Sequence, residues 1–132
     1  MQIKRVLNSE RLRKIEGSFS WIDHRFMTGG FLRDLSTLEI LLYLFLVAVS
    51  DRNGLSFYHD DRIVSLLKID LSALGQAREG LVQRSLVAYQ PPLYQVLSLP
   101  PQPVILPSRE ERSQGEEEIA RSYLHKIKQM LQ

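Results

Sequence analysis

The stretch STLEILLYLFLVAVSDRNG, residues 36 to 54, constrains this chain more than any other. Ser36 with Glu39 three residues later has the form of a capping box, in which serine and glutamate side chains each accept a bond from the other's backbone N–H. A helix of about Thr37 to Ser50 is expected behind it. Its apolar run, Ile40 to Val49, is ten residues long, whereas a bilayer-spanning helix needs about 18 or more. Such a helix, apolar on nearly all sides, has to be wrapped by the rest of its own domain, with a dimer interface as the other way to cover part of it. Asp51 to Gly54 end it.

The flanking segments read as that wrapping. LSFY, residues 55 to 58, follows a turn signal and is expected as a short strand. Asp60 and Asp61 open a helix through Lys68, their charge suiting the positive end of its dipole. Asp70 is the expected cap of the next helix, through about Arg84. Leu74, Ala77 and Leu81 recur there at i, i+3 and i+7, one inward face directed at Leu42 and Phe45. Leu86 to Tyr89 and Tyr94 to Leu99 read as strands of a hairpin whose turn holds Pro91 and Pro92 and protects an edge. Upstream, residues 17 to 35 form an entry segment with a short helix near Asp23 to Thr28.

Past the hairpin, PPQPVILP is stiff and extended. Glu116 to Leu131 then has glutamates in its first turn, Lys126 and Lys128 in its last, and Ile119, Tyr123, Ile127 and Met130 along one side: an amphipathic helix in need of a partner surface. The expected organisation is a basic arm (1–16), a domain (17–99), a Pro-rich linker (100–108) and a C-terminal helical segment (109–132), of α+β class and mainly α.

A chain of 132 residues, 44% hydrophobic and 24% charged, is one ordinary globular domain that can bury a core without a staple. Cysteine is absent, which excludes disulfides, thiol nucleophiles and cysteine-based zinc sites. His24, His59 and His125 fit no metal-ligand spacing, and no phosphate loop, paired-carboxylate signature or nucleophile elbow is present. The expectation is a protein without catalysis, metal or cofactor. The start, MQIKRVLNSERLRK, lacks the apolar block of a secretory signal, so a cytoplasmic location is expected, with no membrane partner.

The net charge of +2 is unevenly spread. Residues 1 to 16 carry five cations and two anions, +3; residues 17 to 99 carry seven and eight, −1; residues 100 to 132 carry five of each. Phosphate neutralisation supplies most non-specific nucleic-acid affinity, which makes Lys4, Arg5, Arg11, Arg13 and Lys14 the main electrostatic candidates, with a solubilising tail as the bland alternative. On the helix after Asp70 the outward face is Ser72, Gln76, Glu79 and Gln83, without a central cation. Ser72, Gln76 and Gln83 have the chemistry to contact base edges, glutamine pairing bidentately with adenine; the bland alternative is a solvated polar face. Arg84, at the helix end, is placed either to reach phosphate or to complement the dipole. Arg78 projects toward the buried side and is expected to pack its stem and pair its head. Gly75 and Gly80 each cost a helix about 1 kcal/mol relative to alanine, a cost that close approach of a neighbour would explain.

Taken together, FSWIDHRFM, LSTLEILLYLFL, DRNGLSFYHDDRIVSLLKID and AREGLVQRSLVAY resemble the N-terminal winged-helix domain of plasmid replication initiators and small helix-turn-helix proteins of bacterial mobile elements. The resemblance implies a winged helix in which residues 71 to 84 are the recognition helix and Gln90 to Leu93 the wing. It implies a DNA-binding protein of replication initiation or transcriptional control, with double-stranded DNA as partner. A homodimer through the C-terminal helix, or a larger protein partner, is expected beside it. The competing expectation is a winged-helix interaction module docking to a replication or transposition protein.

Overall fold

The computed structural model describes residues 3–106 and 121–131. It is α+β and mainly helical. The ordered elements are α1 (Arg25–Thr28), α2 (Thr37–Val49), β1 (Leu55–Phe57), α3 (Asp60–Leu67), α4 (Leu71–Gln83), β2 (Val87–Gln90) and β3 (Leu93–Val96); residues 121–131 form a further helix, α5.

Local chemistry sets the helix starts. Ser36 Oγ accepts from Glu39 N at 3.1 Å and Glu39 Oε1 accepts from Ser36 N at 2.8 Å, so both halves of the capping box are made. Asp70 accepts from Ala73 N at 2.7 Å and caps α4. Between α3 and α4 the chain turns through Lys68, whose φ of 58° is left-handed. Lys68 therefore stands outside α3 as its cap.

The three strands form one antiparallel sheet in the order β1-β3-β2. Pro91 and Pro92 make the tight turn between β2 and β3. The second hairpin strand was expected to reach Leu99 but ends at Val96, where the pairing with both neighbours stops: Leu55 of β1 lies opposite Gln95 and Val87 of β2 opposite Val96. Val96 N bonds to Gly54 O at 2.8 Å, and a Cβ on Gly54 would run into the Val96 carbonyl. Beyond this point Leu99 turns into the core, 8% exposed.

The core lies between the helices and the inner face of the sheet. Leu42 and Leu46 of α2, Ile63 of α3, Leu74 and Leu81 of α4 and Tyr94 of β3 are fully buried, with Ala77 beside them. The expected inward face of α4 is thus the observed one. Phe45 is only half-buried and meets Tyr58 edge to face. Phe26, Phe31 and Leu35 of the entry segment close the core, Phe26 stacking on Tyr43 at 4.3 Å. On α5, Tyr123 and Ile127 are exposed, so the cover expected for that side is not supplied by the described residues; Ile119 and the rest of 107–120 lie outside them. Among the described residues no helix is long and apolar enough to cross a membrane.

Candidate nucleic-acid interface

With Leu74, Ala77 and Leu81 turned inward, helical geometry leaves Ser72, Gln76, Glu79 and Gln83 exposed on the opposite face of α4. Gln83 Nε2 donates to Glu79 Oε1 at 3.1 Å; Ser72 and Gln76 make no side-chain bond among the described residues. The face offers donors and acceptors but no positive charge of its own. Cations do stand on the neighbouring element: Arg62 of α3 and Lys68 in the turn are exposed and in no ion pair among the described residues. Sequence reading passed over both, although the short turn before a capped helix was the signal for Lys68.

The arginine of α4, Arg78, and the one at its C-cap, Arg84, face inward. Arg78 Nη1 donates to Asp60 Oδ1 at 2.7 Å and to the Tyr94 hydroxyl at 2.9 Å, and its guanidinium lies 4.3 Å from the Tyr89 ring centre. Burial alone would lower the Arg78 pKa, but the bonds to Asp60 and Tyr94 outweigh it and hold it above the ordinary arginine value. Burial likewise raises the Tyr94 hydroxyl, against the opposing pull of Arg78. The stem-packed, head-paired role expected for Arg78 is the one observed; it ties α4 to the start of α3 and to β3.

Arg84, a residue expected at the interface, is placed otherwise. Its Nη1 meets the Glu39 carboxylate and its Nη2 donates to Asp34 O at 2.9 Å, with the side chain only 12% exposed. The same carboxylate caps α2 through its other oxygen. A Cβ on Gly80 would come within 2.8 Å of Glu39 Cδ, so the missing side chain at Gly80 is what admits the glutamate across α4. Holding a charge this deep requires such a partner, which withdraws Arg84 from any phosphate.

The turn expected as a wing carries Pro91 and Pro92 and no cation. Beside it, Tyr58, His59, Asp60, Asp61 and Tyr89 border a shallow recess; Asp60 is paired with Arg78, and Asp61, in no ion pair among the described residues, repels phosphate. The arm is the reverse. Lys4, Arg5, Arg11, Arg13 and Lys14 are all exposed; Asn8 caps a short 3₁₀ turn, Ser9–Arg11, by accepting from Glu10 N and Arg11 N. The one ion pair there among the described residues, Lys14 to Glu16 at 3.5 Å, has side chains 78% and 83% exposed and is worth little. Among the described residues no cluster of histidine and carboxylate could hold a metal. No protein-family model, curated protein or solved structure matches the chain.

Proposed function

We propose that this chain is a cytoplasmic winged-helix protein that binds double-stranded DNA, as a dimer, in replication initiation or transcriptional control of a bacterial mobile element. The observation that carries the reading is α4: a helix following a three-residue turn, buried on one side and presenting Ser72, Gln76 and Gln83 to solvent on the other. The element order α2, β1, α3, α4, β2, β3 and the sheet order β1-β3-β2 support a winged helix with α4 in the recognition position. In this reading the arm supplies phosphate affinity, Arg62 and Lys68 add to it beside α4, and the α4 face supplies modest selectivity. Replacing Ser72, Gln76 and Gln83 by alanine should narrow the gap between selected and random duplex, each good base contact being worth roughly 1 to 3 kcal/mol. Absence of duplex binding by the intact chain near about 50 mM salt, where charge attraction is weakly screened, would end the reading.

A second reading, an interaction module docking to a replication or transposition protein, is favoured by a different surface. Leu38, Leu41 and Leu44 form a row on α2 that is 37%, 37% and 45% exposed, in a domain of net charge −1. Binding to a protein partner that is lost on changing these leucines to serine, with duplex binding absent, would establish it.

A further inference from the structure

The entry segment runs beside the sheet as a strap fastened at both ends. At one end the Ser20 hydroxyl donates to the Ser50 carbonyl at 3.0 Å. At the other, the Arg25 guanidinium is held by Asp23 at 3.3 Å and donates to the carbonyls of Leu99 and Pro100. Between strap and domain lies a cavity of about 480 Å³ floored by Tyr43, Val47 and Val96, within the size range of small-ligand sites. Two large aromatics border it and are left in water, Trp21 at 72% and Phe19 at 70% exposure. Leaving an indole so open on a pinned segment wastes most of the stabilisation its burial would give, and an aromatic ligand stacked on it would recover that.

The polar groups around the cavity narrow the ligand. The carboxylates are already engaged: Asp23 by Arg25, and Asp51 by the backbone N–H groups of Asn53 and Leu55 at 2.8 and 2.9 Å. Arg52 is exposed and in no ion pair among the described residues. The amides of Asn53 and Gln95, also bordering the cavity, offer the paired donor and acceptor that a base edge requires. The strap is continuous with the arm, so five cations precede the aromatics directly in the chain. Aromatic platforms next to a basic track are the arrangement that holds single strands, whose bases have free faces; in a duplex those faces are stacked away.

We infer that this cavity takes an unpaired nucleobase of a single-stranded nucleic acid, stacked on Trp21 and Phe19, with Arg52 and the arm following the phosphates. The inference goes beyond duplex binding and uses no residue of α4. Trp21 is the only tryptophan of the chain, so its emission reports the site directly. Titrating the full chain with oligo(dT) or oligo(U) of about 12 nucleotides should quench that emission saturably; the tighter strand names the source. By anisotropy of a labelled strand, Trp21→Ala and Phe19→Ala should each weaken binding on the order of tenfold, while Trp21→Phe keeps most of it and circular dichroism stays unchanged. Absence of quenching, or a Trp21→Ala protein that binds the strand as tightly as the parent, would overturn the site. Quenching by a peptide of residues 121–131 in place of either oligonucleotide would also overturn it, assigning the cavity to the chain's own helix. Loss of duplex binding with quenching intact would sink only the preceding reading.

Discussion

The folded domain and the arm that precedes it put the same residue types to different uses. Between residues 17 and 99, Arg25, Arg78 and Arg84 each face a carboxylate, and the last two are sunk between elements as clamps. In the arm, four of five cations have no ion-pair partner among the described residues and the fifth has one that water screens. A net charge counted over the domain hides this: what matters for an external anion is which cations the fold has already spent. Arg78 and Arg84 hold α4 in place and Arg25 pins the entry segment, whereas the arm has no fold to hold.

The clamps can be broken one at a time. Glu39→Ala should have the largest effect, roughly 3 to 5 kcal/mol of lost stability in urea denaturation, since Arg84 would be left buried without its partner; a loss within experimental error would mean that the pair is not a clamp. Leu81→Ala should cost roughly 2 to 5 kcal/mol through the cavity left between α4 and α2, with duplex and strand affinities retained where the protein stays folded. The two glycines of α4 sharpen the comparison further. Alanine at Gly75 meets nothing within 4 Å and should stabilise by up to about 1 kcal/mol, whereas alanine at Gly80 displaces Glu39 and should destabilise despite the same gain in helix propensity. Equal shifts in thermal midpoint for the two variants would remove Gly80 from the clamp.

How much of this was legible in the sequence follows from how local each determinant is. Ser36 with Glu39, and Asp70 ahead of Leu74, Ala77 and Leu81, are short-range patterns that the backbone itself enforces, and those helices appear where expected. Arg78 could be placed because a helical wheel already turns it inward. The partner of Arg84 is 45 residues away on another helix, so its withdrawal from solvent was beyond periodicity; Gly80, unfavourable in a helix interior and one turn before Arg84, was the available hint. The end of β3 depends on where its two neighbours run out, and the cavity beside Trp21 is assembled from three separated stretches. Neither has a local signature.

The central claim is that the arm carries most of the charge that meets nucleic acid, with exposed cations of the domain such as Arg62 and Lys68 adding to it. Its most direct test is the salt dependence of duplex binding for the parent chain and for a variant with Lys4, Arg5, Arg11, Arg13 and Lys14 changed to glutamine, with stability measured alongside. The account predicts an unchanged denaturation midpoint and near loss of binding, the slope of log affinity against log salt falling by up to about 4.5, at about 0.9 for each of five phosphate contacts. A variant that kept the parent's slope and affinity would contradict it, placing the phosphate contacts on the domain's own remaining cations.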